Sequence, residues 1–431
     1  MDVEAEFEDY LAMLSGRLGH ADRVEPFGDY CRGLMLPGER KSVEPMAARV
    51  APRRVRSKHQ SLHHFVAEAS WSDAGLLDAV RDYVVPVLRK GEGRWSWIVD
   101  DTGFPKKGRH SVGVGRQYCG QLGKQDNCQV AVSVSLANAS GSLPIAYRLY
   151  LPKEWAEDAE RRQKAGVPEE VVFATKGEIA LLQIEQALAA GVPRAVVLAD
   201  AAYGNESAFR EQLQRWGLRY CVAVHSTTSV WAPGHQGLPP EPYGGRGRPP
   251  KRLRVSQTHK PLSVVALASA LAPSAWRQLS WREGTNSPLS GRFAVLRVRP
   301  AHRDTKRSEP QPECWLLIEW PKQQTEPIKY WLSNLAPNTP KRELITLAKQ
   351  RWRIERDYQE LKQELGLGHY EGRGWRGFHH HASLCIAAYG FLMVQRLLTE
   401  GRAKKNFIVR LKAPPLPRGF RPRGSPARSA S

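Results

Sequence analysis

The spacing of apolar positions changes character several times along the chain. Up to about residue 90, FEDYLAMLSGRL and LLDAVRDYVVPVLRK repeat apolar residues every three or four positions, which predicts helices. Between them runs a basic stretch, RKSVEPMAARVAPRRVRSKHQSLHHF, with Ser42, Ser61 and Ser70 as candidate caps. From residue 95 the pattern turns to strands. WSWIVDD is an apolar run ending in carboxylates, and NCQVAVSVSLA and LPIAYRLYL are β-rich runs joined by the hairpin signal NASGS. KGEIALLQIEQALAAG then reads as a helix closed by Gly191 and Pro193, AVVLAD as a buried strand, ESAFREQLQRWG as a helix and RYCVAV as a strand. Strands alternating with helices after a meander predict an α/β fold with a mixed sheet.

Residues 225–335 interrupt that rhythm with Pro- and Gly-rich loops, several tryptophans and β-like runs such as FAVLRVRP and CWLLIEW, which predicts a β-rich insertion. Helical spacing resumes in KRELITLAKQRWRIERDYQELKQELG and ASLCIAAYGFLMVQRLL. The expected organisation is a helical N-terminal DNA-binding unit (1–90), a core in two parts (91–224 and 336–400) around the insertion (225–335), and a basic disordered tail (401–431). That tail is rich in Pro, Lys and Arg and has no Asp or Glu.

Charge narrows the partners. The 431 residues carry 64 Lys and Arg against 43 Asp and Glu, a net charge of +21, and a surface that positive favours a polyanion. A generally Arg-rich proteome would produce a milder version of the same bias. The six cysteines form no CxxC pair, which argues against a zinc site or a disulfide framework. The acidic start MDVEAEFEDYLAML is unlike a signal peptide, and no apolar run is expected to reach the about 18 residues of a membrane span. These features predict an intracellular, cytoplasmic, nucleoid-associated chain.

Two carboxylates end apolar strands: Asp100 or Asp101 after WSWIV, and Asp200 after AVVLA. Strand carboxyl ends are where an open α/β sheet presents its site. Two aspartates there stay ionised together only with a cation between them. Arg351, Glu355 and Lys362 stand at i, i+4 and i+11 of one predicted helix, within roughly 40° of each other at about 100° per residue. Ile354, Tyr358, Leu361 and Leu365 form the adjoining apolar stripe. Glu355 can therefore join the aspartates while Arg351 and Lys362 face a phosphate backbone. An ordinary solvated ladder of i, i+4 pairs has the same spacing.

At these residues the chain resembles the DDE transposases of bacterial insertion sequences, whose core is RNase H-like. DDTGFPKKGRHSVGVGRQYCGQLGKQDNCQVAVSVSL is similar to their first catalytic segment, LADAAYG to the second, and RWRIERDYQELKQELGLGHYEGRGWRGFHHH to the third. The resemblance implies an RNase H-like mixed sheet with flanking helices, and Asp101, Asp200 and Glu355 as catalytic metal ligands. It favours the Asp directly before Thr102, although strand alternation alone leaves Asp100 and Asp101 open. The family's Tyr-Arg-Glu-Lys signature maps onto Arg351, Glu355 and Lys362, with Ala348 where its Tyr would stand.

The implied activity is binding of an element's terminal inverted repeats, cleavage with Mg²⁺ (or Mn²⁺), and transfer of the 3′-hydroxyl end to target DNA. Double-stranded DNA is the expected partner, with a dimer holding both ends and no membrane. A non-catalytic DNA-binding descendant and a nuclease without strand transfer are the alternatives. Further DNA-contact candidates are Lys106, Lys107 and Arg109, and Arg246 and Arg248 in RGRP, which resembles a minor-groove arginine hook. Each also fits a plain basic loop. Trp315, Trp320 and Trp331 are candidates for stacking on a base, with β core as the ordinary reading. His379, His380 and His381 cannot all ligate one ion from a helix, since consecutive residues point about 100° apart; they read as a helix start that could touch DNA. Gln117, Tyr118 and Asn127 could order the first catalytic segment and are assigned no role.

Overall fold

The computed structural model describes residues 3–91, 93–245, 248–282, 289–321 and 324–412. Five helices come first: α1 (Val3–Ser15), α2 (Val24–Met35), α3 (Val43–Val50), α4 (Val55–Ala67) and α5 (Asp73–Leu88). Ser42 stands at the start of α3, but Ser61 lies inside α4, and α5 is capped by Ser72 rather than Ser70, its hydroxyl accepting from Gly75 N at 3.0 Å. The strands that follow are β1 (Ser96–Pro105), β2 (Gly115–Cys119), β3 (Lys124–Ala137) and β4 (Ser142–Leu149). Two short helices, α6 (Lys153–Ala156) and α7 (Ala159–Lys164), precede α8 (Lys176–Ala189), β5 (Val196–Ala199), α9 (Ala201–Gly204), α10 (Ser207–Arg215) and β6 (Tyr220–Val224).

The central sheet runs in the order β4-β3-β1-β5-β6, with β2 extending the outer edge of β3. β1 pairs antiparallel with β3 and parallel with β5, and β5 is parallel to β6. Three meandering strands followed by two helix-linked parallel strands form an RNase H-like core. The middle strand β1 is apolar from Trp97 to Val99 because it is covered on both faces, the situation in which a strand reads as a continuous run. α8 starts cleanly because Thr175 and Glu178 form a reciprocal capping box.

The β-rich segment holds β7 (Ser229–Trp231), β8 (Leu262–Ser263), the short helix α11 (Val264–Ser269), β9 (Arg277–Arg282), β10 (Leu289–Pro300), β11 (Cys314–Trp320) and β12 (Lys329–Ser333). It does not close on itself. β12 pairs antiparallel with β6, Leu332 opposite Val222, so these strands prolong the core sheet beyond β6. The chain then returns through α12 (Lys341–Gln350), α13 (Trp352–Gln363) and α14 (Trp375–Lys412). α14 continues to Lys412, past the Gly401 boundary where a disordered tail was expected; residues 413–431 lie outside the described residues.

α14 joins the N-terminal helices to the sheet. Tyr10 donates to the Ala387 carbonyl at 2.9 Å, and the Phe7 and Phe391 rings lie 4.9 Å apart. Trp375–Thr399 is long and apolar enough to cross a membrane by length and composition alone, and 67% of its most apolar window is buried within the protein. A core helix covered on most of its circumference shows the same composition.

Candidate active site

Three elements carry the carboxylates. β1 and β5 pair in register from Ser96 opposite Val196 to Val99 opposite Ala199, so the next residues, Asp100 and Asp200, stand side by side. Registered neighbours in a sheet project from the same face. α13 lies across that face: the Tyr358 hydroxyl meets Ser133 Oγ at 2.7 Å, and Ser133 is the β3 partner of Asp100. From the same helix Glu355 pairs with Arg351. The Arg351 guanidinium stands between, donating to Asp100 Oδ2 at 2.6 Å and to Glu355 Oε1 at 2.8 Å.

The charges explain this arrangement. Burial pushes the Asp100 carboxyl up to about 7; Arg351 pulls it down, and the nearby Asp200 and Asp101 push it further up. Burial works against the Arg351 charge, yet Asp100, Glu355 and Asp200 together hold it above its ordinary value. Asp200 also caps α9, its Oδ1 accepting from Ala202 N at 2.9 Å. Glu355 is open to solvent, with 61% of its side chain exposed, whereas Asp100 keeps 13%.

Asp101, expected in the set, engages other partners. Strand alternation turns it to the opposite face, where its Oδ2 accepts from Lys176 Nζ at 3.0 Å and from the Tyr203 hydroxyl at 3.3 Å. Among the described residues no three acidic, histidine or cysteine side chains converge closely enough to hold a metal ion. The guanidinium of Arg351 fills the space between Asp100 and Glu355 that a cation would need. The donors of that set are all carboxylate oxygens, the ligands Mg²⁺ and Mn²⁺ prefer, and a positive group already stands among them. In donor chemistry the set suits such a cation, but in this arrangement its three carboxylates do not converge on one point.

The other sequence candidates separate. Lys362 donates to the Gly103 carbonyl at 2.7 Å and to Gln121 at 3.1 Å, and burial lowers its ammonium to about 8. Lys106 is likewise engaged, donating to the Tyr370 carbonyl at 2.9 Å, while Lys107 and Arg109 are exposed on the same loop. Asn127 and Gln117 order this segment. Asn127 Nδ2 donates to the carbonyls of Lys106 at 2.6 Å and Gly108 at 2.9 Å, and Gln117 Nε2 to the Cys128 carbonyl at 2.8 Å. Tyr118 is exposed.

Arg248 is exposed, far along the chain from the carboxylates, and Arg246 lies outside the described residues. Trp315 and Trp331 are buried in the β layer, and Trp315 Nε1 donates to the Ala336 carbonyl at 3.1 Å. Trp320 is partly open and stacks under the Arg292 guanidinium at 4.0 Å. His379, His380 and His381 are all buried at the start of α14, which corrects the expectation that a helix start there touches DNA.

Residues outside the motif spacing also shape the site. Asp357, two positions beyond Glu355, is buried and accepts from Ser142 at 2.5 Å and Tyr389 at 2.9 Å, anchoring α13 to β4 and α14. Tyr203 lies inside LADAAYG, so the motif carried a signal for it; Lys176 had only its place at a helix start.

The family model described as "DDE superfamily endonuclease" matches residues 13–288. A "Probable transposase for insertion sequence element IS701" of Microchaete diplosiphon is 33% identical over 173 residues, which is 40% of this chain and 42% of that protein. Among solved structures, the NurA nuclease of Sulfolobus solfataricus aligns over 59% of this chain and 73% of its own, at 8% identity and a TM-score of 0.25. With the family model spanning more than half of the chain, including both aspartate-bearing strand ends, this protein belongs to the DDE superfamily endonucleases.

Proposed function

We propose that the protein is an insertion-sequence transposase that binds the terminal inverted repeats of its element, cleaves their phosphodiester bonds with Mg²⁺, and joins the freed 3′-hydroxyl to target DNA. One observation carries the reading: Asp100, Asp200 and Glu355 gather around a single guanidinium at the carboxyl ends of β1 and β5. Asp100, Asp200 and Glu355 would hold the divalent ions, which supply activation of the attacking oxygen and stabilisation of the leaving one.

The protein's own groups do the rest. Arg351, displaced from between the acids, binds a non-bridging phosphate oxygen and keeps the scissile phosphate against them. Tyr358 and Asp357 hold α13 against the sheet, so Glu355 stays aimed at the aspartates. Lys107 and Arg109 contact the backbone of the bound duplex, and the net charge of +21 adds salt-dependent affinity. Two protomers hold the two ends during cleavage and joining.

A plasmid bearing the element's two ends tests this. Incubation with the protein and Mg²⁺ is expected to release the element and yield joined products, and Asp200→Asn is expected to abolish both. Cleavage that persists in chelator, or in Asp200→Asn, refutes the metal site. Cleavage without joined products supports a nuclease instead.

A further inference from the structure

The adjacent acids Asp100 and Asp101 face opposite sides of β1, so at most one of them joins Asp200 and Glu355. We propose that Asp101 is a positioning residue that fixes Asp200 through Tyr203, while Asp100 is the metal-binding partner. This rests on the metal site proposed above.

Asp101 Oδ2 accepts from the Tyr203 hydroxyl at 3.3 Å and from Lys176 Nζ at 3.0 Å. Tyr203 is buried to 1% exposure and belongs to α9, a single turn that begins directly after Asp200. Asp200 is bound into that turn by its own cap to Ala202 N. The far end of the turn is pinned as well: a Cβ at Gly204 would lie 2.0 Å from the Ala223 carbonyl of β6, so α9 sits flush on that strand. With one end seated on β6 and its central ring tied to β1, α9 has a fixed rotation, and that rotation sets where the Asp200 carboxylate points. Lys176, the first residue of α8, neutralises Asp101 and ties α8 to the same oxygen, so the anchor carries no unpaired charge.

Asp101 turns away from that set, its Oδ2 taking both an ammonium and a phenol. Asp100 Oδ1 accepts from the Asp101 amide at 2.9 Å and its Oδ2 from Arg351 at 2.6 Å, the guanidinium that also donates to Glu355. A ligand sits a fraction of an ångström from its productive place or it binds poorly, so loosening α9 is felt as weaker metal binding rather than as lost chemistry.

The test is Mn²⁺ titration of the full-length protein by calorimetry, beside cleavage rates across Mn²⁺ concentration. Asp101→Ala and Tyr203→Phe are each expected to weaken Mn²⁺ binding by about tenfold, the loss of roughly one hydrogen bond, with the cleavage rate recovered at saturating Mn²⁺. The double variant is expected to be no weaker than either single one, because both remove the same link. Asp100→Asn is expected to lose Mn²⁺ binding and cleavage at every concentration. Loss of binding in Asp101→Ala with retention in Asp100→Asn overturns the assignment. A Tyr203→Phe protein with a lower melting temperature and unchanged Mn²⁺ affinity also overturns it, since the link would then be structural only. A wild-type protein that binds no Mn²⁺ removes the metal site itself, an outcome distinct from either.

Discussion

Acidification should loosen the protein at His381, and the size of the effect follows from its surroundings. His381 is 2% exposed on α14. Its Nδ1 accepts from the Tyr30 hydroxyl at 2.9 Å, and its Nε2 donates to the Gly366 carbonyl at 3.0 Å, the pattern of a neutral ring. Burial pushes the imidazole from 6.5 down to about 4. A depressed histidine binds fewer protons folded than unfolded between those values. Its contribution to stability is therefore whole above about 6.5 and declines as pH falls toward 4. The full span corresponds to roughly 3 kcal/mol, of which about 2.5 is lost by pH 4.5.

The assay is urea unfolding at pH 7.5 and 4.5 for the wild type and His381→Gln, whose amide offers a donor and an acceptor but does not titrate. His379 and His380 are also depressed by burial, so the absolute decline is shared, and only the difference between the two proteins isolates His381. The wild type should lose about 2 kcal/mol more than the variant. An equal decline in both, within about 0.5 kcal/mol, would refute the reasoning. The consequence reaches the site, because Gly366 ends the stretch that follows α13 and Tyr30 belongs to the N-terminal helices.

Other expectations follow from individual side chains. Asp357→Ala strips the acceptor from the buried Ser142 and Tyr389 hydroxyls and should cost about 2–3 kcal/mol in urea unfolding, whereas Asp357→Asn, which keeps an acceptor, should cost less than half of that. Gly204→Ala forces α9 off β6, because its Cβ would meet the Ala223 carbonyl; the melting temperature and Mg²⁺-dependent cleavage should fall together, and a fully active variant would show that α9 need not sit there. Replacing Lys107 and Arg109 together with alanine should flatten the log–log dependence of DNA affinity on salt by about 2, close to 0.9 for each phosphate left without its cation. An unchanged slope would remove that loop from the DNA interface.

What could be read from the chain before its fold depends on how far apart the determinants lie. The order of strands and helices in the core follows from local period and capping, as at Thr175 and Glu178, and these need no distant partner. Arg351 and Glu355 pair by i, i+4 spacing and do meet at 2.8 Å, although the one expected helix breaks at Arg351, which caps α13 instead of lying within it. The β-rich segment was recognisable as strands, but its union with β6 through β12 depends on a pairing between Leu332 and Val222, which strand patterns do not specify. His379 to His381 read as a helix start because nothing local reveals that α4, α5 and the Trp71 ring close over them; His380 stacks on Trp71 at 3.6 Å across some three hundred residues of chain.

The pair Asp100 and Asp101 shows the limit most clearly. Alternation says that they face opposite sides, and the motif's Thr102 favours the second. The choice, though, follows from register against β5, where Val99 meets Ala199 and the next residues are Asp100 and Asp200. A slip of one residue would exchange their roles and leave every local signal unchanged, so only the long-range pairing, or a metal titration that tells the two acids apart, can assign them.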